Sequence, residues 1–221
     1  METVIIRCIT VRNYCDVVHI SNMGNKSITK KDLKHLSIFS KMAHRYDNFV
    51  GKFNLDELLD YLPLDAENLL LDLGGGTGRA AEHLQDHVNE CIVLDPSYEM
   101  LLEAKKKTDR FLIVQAVGEA LPFRKNSLKQ IFLNDSLHHI KKQRETLEES
   151  FRVLKTGGKL IIREFDKSYF WNIFLRFGEF IIGFGSKFYS PKKLAAICEE
   201  IGFKTSWKRP NKSTFILIAE K

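Results

Sequence analysis

Residues 69–79 of the chain, LLLDLGGGTGR, decide the fold. The apolar run that opens this stretch is interrupted only by Asp72, which is typical of a strand buried on both faces of a parallel sheet. The glycines that follow predict a tight turn, and the residues from Arg79 onward predict the start of a helix. A strand, a glycine turn and a helix N-terminus in this order leave bare backbone against which a ligand can lie.

The spacing of the glycines separates the classes of ligand. The dinucleotide fingerprint needs Gly-x-Gly-x-x-Gly, and counting from Gly74 its third glycine is replaced by Arg79. A phosphate-binding loop needs Gly-Lys-Ser/Thr, which this stretch lacks. The stretch instead places an acid, Asp72, at the strand end, followed by glycines at alternate positions up to Gly78. A carboxylate there disfavours a phosphate and suits a cationic amine or sulfonium, although a tight turn without any ligand is the alternative.

The length and composition predict one ordinary globular domain. The chain has 221 residues, 44% hydrophobic and 28% charged, and no apolar run approaches the ~20 residues of a membrane span. The N-terminus shows no secretory signal. The four cysteines are scattered without Cys-x-x-Cys spacing, which argues against a zinc site and a disulfide framework. We therefore expect no metal and a cytoplasmic location.

The net charge is +6, with a pI of about 9.0. Solvated surface lysines are the simplest explanation of this positive charge. Binding to an anionic membrane surface or to RNA is the more specific alternative. No recognisable RNA-binding motif supports a nucleic-acid partner. The sequence leaves the oligomeric state open.

Strands alternate with helices along most of the chain. Apolar residues at helical spacing predict an N-terminal helical cap before residue 63, and residues 142–154 predict a helix with Gly157-Gly158 as its stop signal. Ser97 and Ser190 are expected helix caps. The expected strands are residues 69–73, 91–95, 111–114, 130–133 and 159–164, followed by a hairpin of residues 203–208 and 213–219.

This pattern predicts an α/β, Rossmann-like, doubly wound and mostly parallel seven-stranded sheet with an antiparallel C-terminal hairpin. Residues 28–221 would form the single domain. Residues 1–27 read as an extension, either an added strand or a tail. The aromatic and glycine-rich residues 166–189 are expected to cap the site as a lid.

Polar groups follow four of the predicted strands, at the edge where ligands bind in such sheets. They are Asp72 with its glycines, Asp95, the loop from Val117 to Glu119, and Asn134. Asp95 lies about 20 residues past the glycine turn, where an acid can accept both hydroxyls of a ribose.

Four segments together resemble the class I S-adenosylmethionine-dependent methyltransferases, and most closely the ubiquinone/menaquinone-biosynthesis C-methyltransferase type. They are DLGGGTG at residues 72–78, LDP at residues 94–96, GEALPF at residues 118–123 and FRVLKTGG at residues 151–158. The resemblance implies S-adenosylmethionine as cofactor and a small, apolar or aromatic methyl acceptor. The cofactor-binding residues that it implies are Tyr46, Asp72, Gly74, Gly76, Thr77, Asp95, Val117, Gly118 and Asn134.

Two features depart from the family. Many relatives carry Asp or Asn where Val117 stands, to bond the adenine amine, whereas valine offers only backbone and an apolar wall. Glu119 is the nearest residue that could compensate. The segment before Ser190 is also shorter than in quinone methyltransferases, which puts a quinone precursor in doubt.

Methyl transfer from a sulfonium depends mainly on in-line placement, and a base helps when the acceptor must lose a proton. His138 and His139 are the first candidates for that base, followed by His44 and Tyr46. Glu164, at the end of the predicted fifth strand, could face the acceptor or be a structural carboxylate. The aromatic side chains of residues 169–189 would form either a packed lid or an apolar acceptor pocket with membrane-surface contact.

Three other functions stay open at this point. The positive charge motivates an RNA or protein methyltransferase, but the fourth strand ends in residues 134–137, NDSL, and lacks the Asn/Asp-Pro-Pro-aromatic motif of base methylation. Val117 motivates a non-catalytic S-adenosylmethionine-binding regulatory protein. A nicotinamide oxidoreductase is disfavoured because Arg79 breaks the glycine pattern.

Overall fold

The computed structural model describes residues 7–8, 40–41, 43–47, 59, 61–166 and 187–221. Most of the N-terminal extension, most of the two predicted N-terminal helices and all of the lid except its ends lie outside the described residues. Those predictions stay predictions. Residues 40–41 and 43–47 are helical and form what we term the N-terminal helical segment.

The described strands form one eight-stranded sheet. The strands are β1 (Arg7–Cys8), β2 (Leu69–Leu73), β3 (Glu90–Asp95), β4 (Phe111–Gln115), β5 (Leu128–Asn134), β6 (Leu154–Phe165), β7 (Lys204–Lys208) and β8 (Thr214–Glu220). Their order is β1-β4-β3-β2-β5-β6-β8-β7. Strands β4, β3, β2, β5 and β6 are parallel, and β8 and β7 follow as the antiparallel hairpin. The predicted seven strands are confirmed, and the two residues of β1 add an antiparallel pairing at the edge of β4.

Four α-helices of the described chain cover the two faces of the sheet. They are α1 (Arg79–Leu84), α2 (Tyr98–Lys107), α3 (Gln143–Val153) and α4 (Pro191–Ile201), with 3₁₀ turns at Gln85–His87 and Leu137–His139. Alternate residues of each strand face opposite sides. Leu70 therefore packs with α1 and α2, while Leu71 and Leu73 pack with α3 and α4. The sheet is doubly wound, as predicted.

The helix boundaries agree with their expected caps in two places. The Ser97 hydroxyl accepts a hydrogen bond from the Met100 amide at 3.3 Å, and the Ser190 hydroxyl accepts one from the Lys193 amide at 3.4 Å. Among the described residues, no helix is long and apolar enough to cross a membrane.

The predicted stop signal of α3 is wrong. The helix ends at Val153, where the chain turns directly into β6, so Gly157 and Gly158 lie inside the strand. The register between β5 and β6 shifts within β6, because Leu128 pairs with Leu154 whereas Gln130 pairs with Lys159. Gly157 lies in this irregular stretch and has a positive φ of 72°. The glycines bend a strand rather than end a helix.

Candidate functional site

A cavity of about 190 Å³ opens at the carboxyl edge of the sheet. It lies where the chain changes direction, because β3 and β4 extend the sheet on one side of β2 and β5 and β6 extend it on the other. Ligands bind at this reversal in open α/β sheets. Of the predicted site residues, the cavity is lined by Tyr46, Asp72, Gly74, Gly76, Thr77, Asp95, Val117, Gly118, Asn134 and His139, and His138 is not among its lining residues.

The glycine turn has no room for side chains at its start. Gly74 has a φ of +73°, and a Cβ atom on it would lie 2.9 Å from the Ser136 side chain. Its amide and that of Gly75 both donate to the Leu94 carbonyl oxygen, at 2.8 and 3.1 Å. The turn is thus held by β3 and packed against Ser136, two residues after the end of β5, and both glycines line the cavity.

The Asp95 carboxylate joins the turn to the start of α2. It accepts hydrogen bonds from the amides of Gly76 at 3.1 Å and Ser97 at 2.8 Å. Burial raises the pKa of Asp95 to about 6, while these two hydrogen bonds act in the opposite direction. Since each carboxylate oxygen has a further lone pair, the side chain can still accept the hydroxyls of a ribose.

The Asp72 carboxyl is the most exceptional group of the site. It is only 1% exposed, and its Oδ2 atom has no hydrogen-bond partner among the described residues. Burial raises its pKa to about 7, although a hydrogen bond from the Ala81 backbone and the charge of Arg79 oppose this shift. A buried carboxylate oxygen without a donor is unfavourable. The site therefore fits a ligand that brings a cationic amine.

The N-terminal helical segment is tied to the glycine turn and to α2. Thr77 donates its hydroxyl proton to Asp47 Oδ1 at 2.5 Å, and Asp47 Oδ2 lies 2.5 Å from Lys107 Nζ. Ser40 donates to Glu99 Oε2 at 2.6 Å. These contacts place Tyr46 over the cavity, and burial raises the pKa of its phenol to about 12. Tyr46 is therefore a neutral wall of the site.

Val117 and Gly118 form another wall of the cavity, in the loop after β4. A Cβ atom on Gly118 would lie 2.8 Å from the Thr146 side chain, so the loop packs directly on α3. Val117 presents an apolar surface that is half-buried. Glu119 also lines the cavity, and its Oε1 atom lies 3.9 Å from Lys142 Nζ.

The structure separates the two candidate bases. His139 lines the cavity, whereas His138 is 4% exposed, with its Nδ1 atom 2.6 Å from Glu164 Oε2. The His138 ring stacks on Phe188 at a centroid distance of 4.4 Å and contacts the His139 ring at 4.0 Å. Glu164 also accepts the His138 amide, at 3.2 Å. The His138–Glu164 pair is therefore buried, and its His138 ring packs against the ring of His139. Glu164 does not line the cavity.

Several lining residues escaped the sequence reasoning. Arg79 entered it only as a break in the dinucleotide fingerprint, yet Arg79 lines the cavity together with Asp135 and Lys141. The clue to Arg79 was a cation immediately after the glycines. The clue to Asp135 was a second polar residue after Asn134, but nothing in the sequence gave its unusual backbone, with a φ of +50°.

Comparison with known proteins agrees with the fold and the motifs. Residues 71–162 match the methyltransferase domain family. The ubiquinone/menaquinone biosynthesis C-methyltransferase UbiE of Roseobacter denitrificans is 29% identical, over 66% of this chain and 69% of its own length. The demethylmenaquinone methyltransferase of Renibacterium salmoninarum is also 29% identical, over 65% of this chain and 63% of its own length.

Solved structures share the architecture at low sequence identity. A methyltransferase from Thermotoga maritima, described as a possible histamine N-methyltransferase, has a TM-score of 0.70 and 20% identity over 85% of this chain and 99% of its own. The DhpI protein in complex with SAM and HEP has a TM-score of 0.71 and 17% identity, over 88% and 100%. The matched domain, the curated relatives and the shared sheet support a class I S-adenosylmethionine-dependent methyltransferase, similar to the ubiquinone/menaquinone biosynthesis C-methyltransferases.

Proposed function

We propose that this methyltransferase acts on a small aromatic acceptor. The names of its relatives make a reduced quinone precursor the first candidate, even though the segment before Ser190 is shorter than in quinone methyltransferases. Two curated relatives carry names that specify quinone or demethylmenaquinone methylation. The observation that carries the cofactor part is the buried Asp72 carboxylate beside the bare backbone of the glycine turn. The alternatives of an RNA or protein methyltransferase have no supporting contact in the described structure.

The cofactor would lie along the glycine turn. Asp72 would face its amine, and the Asp95 carboxylate would accept its ribose hydroxyls. Val117 and Gly118 would flank its adenine. The other proposed contacts are Gly74, Gly76 and Thr77 at the turn, Asn134 at the end of β5, and Tyr46 above. S-adenosylmethionine supplies a methyl group on a positively charged sulfur, which is already a good leaving group.

Arg79 would complete the recognition of the amino-acid part of the cofactor. It lines the cavity and lies close enough to Asp72 to lower the pKa of that carboxyl. A guanidinium matches the geometry of a carboxylate with paired donors. Asp72 and Arg79 would therefore bind the amine and the carboxylate of one amino acid.

His139 is the base that we propose for acceptors that lose a proton. It lines the same cavity, and its ring rests on that of His138. Because the Glu164 carboxylate fixes His138, the pair would hold the His139 ring in place rather than touch the acceptor. His138 is thus proposed as a positioning residue.

The remaining proposals concern the environment of the site. We propose that residues 28–221 act as one domain, with residues 166–189 as a lid over the acceptor. Cys91 and Cys198 are buried free thiols, which suit the reducing cytoplasm. The exposed lysines of the edge strand β7, Lys204 and Lys208, would suit a peripheral contact with anionic lipid.

Calorimetry with S-adenosylhomocysteine and with NAD tests the cofactor part. We expect binding of the first and none of the second. Asp95→Ala should weaken S-adenosylhomocysteine about 10- to 100-fold, because a charged hydrogen-bond acceptor is lost. Asp86→Asn is the control, since Asp86 pairs with Arg110 at 2.7 Å outside the cavity.

Transfer from labelled S-adenosylmethionine to a short-chain demethylmenaquinone, reduced with dithionite, tests the acceptor part. A methylated product is expected, and a lipid extract serves as the broader substrate pool. No binding of S-adenosylhomocysteine would overturn the whole proposal. Binding without transfer to either substrate would instead indicate a non-catalytic binding protein.

A further inference from the structure

Asp135, the first residue after β5, has a backbone conformation that residues other than glycine rarely adopt. Its φ of +50° lies in the left-handed region, which Asp and Asn adopt more readily than the other residues that carry a side chain. Such conformations persist where the surrounding structure enforces them, and they cluster at functional sites. Asp135 therefore combines an unusual backbone conformation with a place in the lining of the cavity.

Arg163, at the carboxyl end of β6, holds one side of Asp135. Its guanidinium forms an ion pair with Asp135 Oδ2 and donates to Asn134 Oδ1 at 3.3 Å, while the Asp135 amide donates to the Arg163 carbonyl oxygen at 2.9 Å. The other carboxylate oxygen, Oδ1, is buried and has no hydrogen-bond partner among the described residues. Asp135 is thus fixed in place with one acceptor atom unused.

Asp135 lines the cavity without being one of the proposed cofactor contacts, although its neighbour Asn134 is one of them. The adjacent Ser136 packs beneath Gly74 and donates to the Leu73 carbonyl oxygen at 3.1 Å, which puts Asp135 next to the glycine turn. The acids proposed to bind the cofactor lie in β2 and β3, whereas Asp135 follows β5 and Arg163 lies in β6. The methyl acceptor must occupy space beside the cofactor.

We propose that Asp135 recognises the methyl acceptor, by accepting a hydrogen bond at Oδ1 from a hydroxyl group of that acceptor. The inference rests on the proposed function and specifies its substrate class, a hydroxylated aromatic molecule. The positive φ, the ion pair that fixes Oδ2, the unpartnered buried Oδ1 and the place of Asp135 in the cavity lining together carry it.

The charges around Asp135 favour a neutral hydroxyl over an ammonium group. Arg163 already neutralises the carboxylate. Burial raises the pKa of Asp135, and so does the nearby Glu164, which is itself paired with His138. Arg79, in contrast, adds a second positive charge that lowers this pKa. A third cation would be repelled by both guanidinium groups. A hydroxyl donor satisfies Oδ1 without adding charge to a buried site.

The test uses two probes, 1,4-dihydroxynaphthalene and its 1,4-dimethoxy ether, in which methyl groups replace both hydroxyl protons and so remove both hydrogen-bond donors. Their affinities for the protein saturated with S-adenosylhomocysteine are measured by calorimetry under reducing conditions. We expect the wild type to prefer the dihydroxy probe about 10- to 100-fold, as for a hydrogen bond to a charged group. Asp135→Ala should abolish this preference, and Asp135→Asn, which keeps a carbonyl acceptor, should reduce it only partly.

Two controls make the outcome unambiguous. S-adenosylhomocysteine must bind Asp135→Ala as it binds the wild type, and Asp86→Asn must keep the preference for the dihydroxy probe. An undiminished preference in Asp135→Ala, or no preference in the wild type, overturns the inference while leaving the cofactor proposal intact. Loss of S-adenosylhomocysteine binding in Asp135→Ala also overturns it, because Asp135 would then serve the cofactor side.

Discussion

The two halves of the carboxyl edge of the sheet are built in different ways. After β2 and β3, the site consists of main chain in a glycine turn and of two acids, Asp72 and Asp95, placed within a short stretch of sequence. After β5 and β6, it consists of side chains held by other side chains, in the pairs Asp135–Arg163 and His138–Glu164. A surface made of backbone suits a cofactor common to a family, whereas a surface made of side chains can change with the sequence, provided that both partners of a buried pair change together. Following the proposals above, we call the first half, with the loop after β4, the cofactor half and the second the acceptor half.

The largest expected effect comes from filling the glycine turn. Gly74 and Gly157 have nearly the same φ, +73° and +72°, so alanine costs the same backbone strain at either site. Only at Gly74 would the added Cβ meet a neighbour, Ser136 at 2.9 Å. We expect Gly74→Ala to lower S-adenosylhomocysteine affinity more than 100-fold and to destabilise the fold by about 1–3 kcal/mol more than Gly157→Ala.

Calorimetry and thermal unfolding of the two variants measure these differences. No described atom lies within 4 Å of the site of the added Cβ at Gly157, so Gly157→Ala reports the left-handed backbone alone. Equal losses of stability in the two variants would show that only the backbone angles of Gly74 matter and not the close approach of Ser136.

The second expected effect concerns the acceptor half. Removing one partner of a buried pair leaves the other without compensation, so Glu164→Ala should destabilise the fold by about 3 kcal/mol. Because Glu164 touches His138 and not the cavity, S-adenosylhomocysteine affinity should stay within about twofold of the wild type. Urea unfolding and calorimetry measure the two quantities. A large loss of cofactor affinity would mean that the two halves are coupled.

How far the sequence could predict the site follows the same division. The turn at Gly74 and the acids Asp72 and Asp95 could be predicted because strand, turn and helix succeed one another locally. His138 and His139 could not be told apart, since their exposure depends on Glu164 and Phe188, which are distant in sequence.

The mostly parallel sheet and the helices on both of its faces could likewise be predicted from alternating elements and apolar patterns. The end of α3 could not, because Gly157 is typical of a helix stop and of a strand irregularity alike. Only the pairing of β6 with β5 and β8 decides between the two.

The third prediction concerns the unpartnered carboxyl of the cofactor half. The pKa of Asp72 in the folded protein is about 7, above its ordinary value of 3.8, so the folded state binds this proton more tightly than the unfolded chain. The loss of folding stability caused by the buried carboxylate is therefore absent below about pH 4 and grows as the pH rises towards 7. Above pH 7 it reaches a plateau on the order of 2–4 kcal/mol. Asp72→Asn removes this cost.

Asp72→Asn should therefore raise the stability of the ligand-free protein at pH 8, with little change at pH 4, and should lower S-adenosylhomocysteine affinity about tenfold. Thermal unfolding at the two pH values and calorimetry measure these opposite effects. The affinity for 5′-methylthioadenosine, which lacks the amino acid, should not change. Destabilisation at both pH values would show that Asp72 is a structural residue.

The smallest expected effect tests the apolar wall of the cofactor half at Val117. If the adenine lies against Val117 and Gly118, Val117→Asn offers its amine the acceptor that valine lacks. A neutral hydrogen bond contributes about 0.5–1.5 kcal/mol, so S-adenosylhomocysteine affinity should rise about three- to tenfold. S-inosylhomocysteine, in which a carbonyl oxygen replaces the amine, is the matched ligand and should gain less. An equal gain for both ligands, or a loss for both, would place the adenine away from Val117 and would leave the cofactor half defined by its backbone and its two acids alone.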